Sequence, residues 1–232
     1  MPKFHFDIKK LRDIPVSIDN WAYGQVGERN DGPFKDNYQS LEVKDCGESL
    51  VDIDELGLSN ENCYFQRFSD QREFLDKKLI TEEVFLRKSH AGRLAKADKY
   101  FRRKGLFVHI VSGWRHPELQ KIIKEEYAKK FGQEIADRTF ASVDLKVPPP
   151  HSTGASFDVE LRDISSDKKI EMNVYFGNER ISSLYWAENL FKEGKLDNVS
   201  VDAMKNRRIL YHGLCSVGVI FEKSEDLFVV HP

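Results

Sequence analysis

Cysteine is scarce: three in 232 residues, and none of Cys46, Cys63 and Cys215 belongs to a C-x-x-C pair. That odd, scattered set argues against a disulfide framework, so the thiols are expected to be buried or half-buried in a reducing compartment. Long apolar runs are missing too. Nothing approaches the roughly 18 residues of a membrane span, and the N-terminal MPKFHFDIKKLRDIPV has neither an apolar core nor a small-residue cleavage site. A cytoplasmic location without membrane contact is expected. An excess of one charge is also lacking, with 36 basic against 38 acidic residues and a net charge of −2. No whole-chain field therefore favours DNA, RNA or an anionic membrane. The runs Arg102-Arg103-Lys104 and Arg207-Arg208 read as solvated helix faces. No G-x-S-x-G elbow, glycine-rich phosphate loop, internal repeat or strict βαβ alternation occurs.

What is present is an ordinary globular composition, 40% hydrophobic and 32% charged. The chain is long enough to bury roughly 70% of its unfolded surface. One domain over 1–232 is expected, with a loop-rich, irregular N-terminal layer at 1–78 and a core at 79–232. In the layer, Ser40–Val43 and Cys63–Phe68 read as short strands separated by turn-formers such as Glu28–Gly32.

The pattern sharpens from Thr81, where Thr-Glu-Glu suits a helix start and Leu94, Ala97 and Phe101 share a face up to Gly105. Leu106–Val111 reads as a buried strand. Pro117 opens a helix carrying Leu119, Ile122, Ile123, Tyr127 and Phe131, closed by Gly132. A long loop then runs to Pro148-Pro149-Pro150. Ser156–Leu161 alternates Phe157, Val159 and Leu161 against Ser156, Asp158 and Glu160, the signature of a half-buried strand. Helices follow at Ser182–Phe191 and around Val201–Val217, then strands at Val219–Phe221 and Leu227–Val230. The fold class expected is α+β: a central, mainly antiparallel sheet with helices on one side.

The densest chemical signal is Pro150-His151-Ser152-Thr153-Gly154-Ala155-Ser156-Phe157-Asp158. A loop imidazole and a strand carboxylate are both good zinc ligands, and Gly154 permits the sharp turn that would aim them together. Plain solvent exposure of the polar strand face is the alternative for Asp158. Arg115 follows the strand end Ser112-Gly113-Trp114, where its planar fork could clamp a substrate carboxylate; a surface arginine is the alternative.

These blocks together resemble bacterial zinc D-Ala-D-Ala dipeptidases of the vancomycin-resistance type, among the hedgehog-like metallopeptidases. The matching elements are Gly113-Trp114-Arg115, Pro150 through Asp158, and the helix Asn206-Arg207-Arg208-Ile209-Leu210-Tyr211-His212. Phe85-Leu86-Arg87 through Phe101 looks like the family's preceding helix, and Asn62-Cys63-Tyr64-Phe65 resembles its N-terminal element. The resemblance covers about residues 60 to 219. It implies Zn2+ bound by His151 and Asp158, and Arg115 stabilising an oxyanion or orienting a small D-amino-acid dipeptide or peptidoglycan-derived peptide. Ser156 stands where the family usually has alanine.

The family's closing Glu-x-x-His, which provides base and third ligand, has no counterpart here. The histidines after Asp158 are His212 and His231, preceded at three residues by Ile209 and Phe228. The expectation is therefore a zinc hydrolase of D-Ala-D-Ala or a related peptide in a C-terminally truncated form. The alternatives are His231 as an incomplete third ligand, or a non-catalytic zinc module that recognises a peptide terminus.

Overall fold

The computed structural model describes residues 8–16, 46–140, 149–181 and 184–217. The expected strands at Ser40–Val43, Val219–Phe221 and Leu227–Val230, the turn at Glu28–Gly32, and His231 lie outside them. The chain is α+β and divides into two compact units. One comprises Met1–Trp21, Gly92–His109 and Asp158–Pro232, the other Ala22–Ala91 and Ile110–Phe157. In chain order the helices are α1 (Ile8–Leu11), α2 (Cys63–Phe68), α3 (Arg72–Asp76), α4 (Lys88–Arg102), α5 (Pro117–Phe131), α6 (Gln133–Thr139), α7 (Leu184–Lys192) and α8 (Asn198–Cys215). The strands are β1 (Leu50–Asp52), β2 (Ser59–Asn60), β3 (Phe85–Arg87), β4 (Leu106–Ser112), β5 (Asp158–Asp163), β6 (Val174–Phe176) and β7 (Glu179–Ile181). They form an antiparallel β1–β3 pair, a β2–β4–β5 sheet and an antiparallel β6–β7 hairpin.

In the Ala22–Ala91 and Ile110–Phe157 unit, β1 pairs with β3 in the register Leu50↔Arg87, Val51↔Leu86 and Asp52↔Phe85. The apolar cluster beside it joins Tyr64 and Phe68 of α2, Leu79 and Ile80 of the following loop, and Leu119 and Ile123 of α5. The segment Cys63–Phe68 is a helix, not the expected strand. Its aromatics suit either structure, but Asn62 settles it by capping: its Oδ1 accepts from the Tyr64 and Phe65 N–H groups at 3.2 and 3.5 Å. The helix expected from Thr81 begins later, at Lys88, because Phe85–Arg87 pairs as β3. The stretch after Gly132, read as loop, contains α6.

In the other unit, α8 is the organising element. Asp197 caps it by accepting from Ser200 N–H at 2.6 Å. Arg207 and Arg208 are not a solvated face: they are 0% and 2% exposed. Arg207 donates to the carbonyls of Met172 and Ile181 at 2.6 and 2.7 Å, stitching the chain just before β6 and the last residue of β7 to α8. Burial, with Arg180 nearby, pushes its guanidinium down to about 10. Arg208 grips Glu188 of α7 with two hydrogen bonds of 2.6 Å and also donates to Arg12 O at 2.9 Å. Val16 N–H donates to the same Glu188 carboxylate at 3.2 Å, and His212 Nε2–H to Ile14 O at 3.0 Å. The segment after α1 is thus held by the resemblance helix itself.

β5 also departs from the half-buried pattern. Glu160, on the expected polar face, is 6% exposed. Burial would raise its pKa, but hydrogen bonds from Lys169 and Arg162 outweigh that and hold the carboxyl below its ordinary value. The thiols are free, with Cys46 and Cys215 exposed and Cys63 half-buried.

The Arg208–Glu188 pair predicts an asymmetric mutational response. Glu188→Ala leaves a buried guanidinium uncompensated and should cost about 3–5 kcal/mol in urea unfolding. The double change Glu188→Leu with Arg208→Met should recover most of that loss. A cost below about 1 kcal/mol for Glu188→Ala would show that the pair does not hold α7 to α8.

Candidate functional site

The site starts where β4 ends. Gly113 has no room for a side chain: a Cβ there would lie 2.6 Å from Phe85 O and 2.7 Å from Val84 Cγ1. Only glycine lets the strand end pass this close to the chain entering β3. Trp114 N–H then donates to Phe85 O at 2.7 Å, fixing the next residue, Arg115.

The second component is a 3-10 turn at Pro150–Thr153, opened by proline and closed by Gly154 in the left-handed region at φ 76°. Thr153 Oγ1 donates to Pro150 O at 2.6 Å and accepts from Ala155 N–H at 3.2 Å. Proline sets the entry, the threonine hydroxyl ties the turn internally, and glycine supplies the positive φ.

Strand end and turn are joined three times. Trp114 Nε1–H donates to Ser152 O at 3.1 Å, Arg115 N–H to His151 O at 3.1 Å, and His151 Nδ1 meets Gly113 O at 2.9 Å. On the opposite flank, Arg87 N–H donates to Gly154 O at 2.8 Å and Arg87 Nε to Thr153 O at 2.7 Å, while Nη1 donates to Glu48 O. Two of the sequence-derived blocks, Gly113-Trp114-Arg115 and Pro150–Gly154, therefore form one hydrogen-bonded assembly, with His151 at its centre.

The contact to Gly113 O determines the protonation of His151. A carbonyl oxygen only accepts, so Nδ1 donates here, and in the neutral imidazole Nε2 is then the nitrogen with the ring lone pair. A carbonyl-held Nδ1–H is the arrangement by which proteins orient a histidine that ligates metal through Nε2. In donor type and tautomer His151 fits zinc. Asp158 is the first residue of β5, with its Oδ2 buried, and offers the hard oxygen donor that zinc also accepts. Among the described residues, no group of three or more His, Cys, Asp or Glu side chains is placed to hold a metal ion.

Arg115 is not a surface arginine, being 5% exposed. Its Nη1 donates to Gln120 Oε1 and its Nη2 to Ser112 Oγ at 3.2 Å, and the guanidinium stacks 4.0 Å from the Tyr64 ring centroid. The cation–π contact contributes about 0.5–2 kcal/mol and, with the two acceptors, fixes the plane of the fork. Asn62 places Tyr64: besides capping α2, its Nδ2 donates to Thr81 O at 2.8 Å and Glu83 O at 3.4 Å.

Arg115, Tyr64, Leu79, Ile80, His116 and Leu119 line a small depression whose free volume, about 10 Å³, is that of roughly one water molecule. His151 is not among its lining residues. Sequence reasoning did not assign roles to Tyr64, Gln120 or Arg87. Gln120 left a signal: a buried polar residue on the apolar face of α5, between Leu119 and Ile123.

The tautomer is directly measurable. Long-range proton–nitrogen NMR of the imidazoles at neutral pH should show His151 with Nδ1 protonated and Nε2 bare. The opposite tautomer would remove the Nδ1–H···O=C Gly113 bond and the zinc fit together. No family model matches this chain, and no curated protein matches it.

Proposed function

We propose that the chain is a zinc-dependent peptidase-type domain acting on D-Ala-D-Ala or a related short peptide of peptidoglycan metabolism. The observation that carries this reading is His151, whose tautomer is held by Gly113 O and whose own carbonyl receives the N–H of Arg115. His151 Nε2 acts as a metal donor; Asp158, the second donor expected from the sequence, belongs to the other compact unit. Zinc bound there would supply a Lewis acid for the scissile carbonyl and lower the pKa of a bound water to about 7.

The remaining roles belong to the chain itself. Gly113 O holds a proton on Nδ1, so in the neutral ring Nε2 is the nitrogen left to ligate. Arg115, oriented in advance by Gln120, Ser112 and Tyr64, offers a fixed positive charge for the oxygen on which negative charge develops, or for the peptide carboxylate. That orientation is in place before the peptide arrives, so little reorganisation opposes the reaction. The free thiols support a reducing, cytoplasmic setting, and among the described residues no helix is long and apolar enough to cross a membrane.

A second reading, recognition of a peptide terminus without turnover, is favoured by the small depression beside Arg115, because its lining includes Arg115 and not His151.

Zinc titration combined with a D-alanine release assay separates the readings. His151→Ala should weaken zinc binding at least about tenfold, given that a catalytic zinc normally has three protein ligands. Arg115→Lys should lower the release rate by about 10²–10³, the loss typical of one displaced oxyanion donor. Zinc binding through His151 with D-alanine release would rule out the recognition reading, and binding without release would fit it as well as a peptidase short of the family's Glu-x-x-His. Zinc binding indifferent to His151 would contradict both.

A further inference from the structure

Charge on this chain is balanced overall but not along α4. Asp98 is the only acidic residue between Glu83 and Glu118, and its carboxylate is spent inside the fold. Its Oδ2 accepts from Arg102 Nε at 2.5 Å and its Oδ1 from Val108 N–H at 3.0 Å. Leu94, Ala97 and Phe101 form the inward side of the helix and are fully buried. Lys96, Lys99, Arg103 and Lys104 are exposed on the other side and on the turn that follows. Spaced three and four residues apart, Lys96, Lys99 and Arg103 share one helix face. All four belong to the same compact unit. Elsewhere in that unit Lys169, Lys195 and Lys205 each stand within 4.0 Å of a carboxylate, those of Glu160, Glu193 and Asp13. Among the described residues no carboxylate pairs with Lys96, Lys99, Arg103 or Lys104. The turn beside them, joined by Ile164 N–H donating to Gly105 O at 2.9 Å, brings acids that are already engaged. Ser165 and Ser166 N–H groups donate to Asp163 Oδ1 at 2.9 and 3.0 Å, and Arg162 faces Asp167 at 3.8 Å.

Like charges at these spacings repel one another and weaken a helix. The helix macrodipole favours cations in the last turn, which accounts for Lys99 but not for Lys96. A polyanion laid along the face removes that repulsion. Four cations over eight residues of chain occupy roughly 12 Å of helix axis, about one per 3–4 Å. One strand of duplex DNA carries its phosphates at about the same interval, 3.4 Å along its axis. A membrane fits less well, because an interfacial helix needs an apolar face to bury among the acyl chains. The apolar residues of α4 are already consumed by the core. The net charge of −2 does not oppose a local contact, since salt confines exposed charges to a range of about 10 Å.

We propose that the outer face of α4 is a contact surface for the phosphate backbone of double-stranded DNA. Lys96, Lys99, Arg103 and Lys104 each meet a phosphate, and the grip is independent of base sequence because phosphate contacts carry no sequence information. This surface stands apart from the zinc reading, and neither depends on the other.

The test is fluorescence anisotropy of a labelled DNA duplex of about 20 base pairs with the full chain, between about 50 and 200 mM salt. Four phosphate contacts predict a slope of log K against log salt of about −3 to −4, a loss of roughly a hundredfold across that range. The triple change Lys96→Gln, Lys99→Gln and Arg103→Gln should bring the slope to about −1 and weaken binding at low salt at least about tenfold. Glutamine keeps helix propensity and the change relieves like-charge repulsion, so the thermal midpoint should hold or rise. Lys195→Gln, in the same unit but away from α4, should leave the slope unaltered. Zinc binding by the triple variant should equal that of the unaltered chain.

The inference is overturned if the duplex fails to bind at low salt, or if the triple variant keeps the full slope. An equal loss from Lys195→Gln would show diffuse attraction and overturn it too. Vesicles rich in phosphatidylserine serve as the competing partner. Tighter binding to them than to the duplex, lost in the triple variant, would make the face a membrane contact and contradict the DNA assignment.

Discussion

The close passage of Gly113 beside Phe85 and Val84 is the constraint on which the site depends. With no side chain at 113, the end of β4 lies against the entry to β3, and Trp114 N–H reaches Phe85 O. From that fixed point the chain offers one carbonyl to His151 and one N–H back from Arg115, so a tautomer and a guanidinium are positioned by the same three residues. Any side chain at 113 would have to displace backbone on β3, and the displacement would reach both functional groups at once. Arg87 closes the assembly from the other flank, where its fork and backbone N–H hold Thr153 and Gly154. The site is thus built on strand ends and a proline-stiffened turn, a rigid setting of the kind that preorganised chemistry requires.

Charge placement shows a related economy. The buried cations Arg115, Arg207 and Arg208 are each oriented by specific acceptors, but to different ends. Arg208 meets a full carboxylate, Glu188, and binds α7 to α8. Arg207 meets two backbone carbonyls and holds the β6–β7 region to α8. Arg115 meets an amide, a hydroxyl and a ring face beside a small depression.

Much of this was legible where local signals agree with tertiary ones. The strand Leu106–Val111, the proline-opened helix from Pro117 to Gly132 and the turn at Pro150–Gly154 are each written in adjacent residues, and each is present. Cys63–Phe68 misleads because its aromatics suit strand or helix, and the deciding residue is the cap, Asn62. Arg207-Arg208 misleads because adjacent charges on a helix ordinarily face water; their partners, Glu188 and the Met172 and Ile181 carbonyls, are remote in sequence. The same distance hides Tyr64 and Arg87. The motif block singled out His151, but its tautomer depends on a carbonyl 38 positions away in the chain.

The most direct test of the account is cobalt substitution at His151. Titrating the full chain with Co2+ should develop the intense visible absorption of a low-coordinate nitrogen–oxygen site. That spectrum should be lost in His151→Ala. A spectrum identical in both proteins, or the weak bands of hydrated cobalt in the unaltered chain, would contradict the claim that His151 is held ready to bind metal.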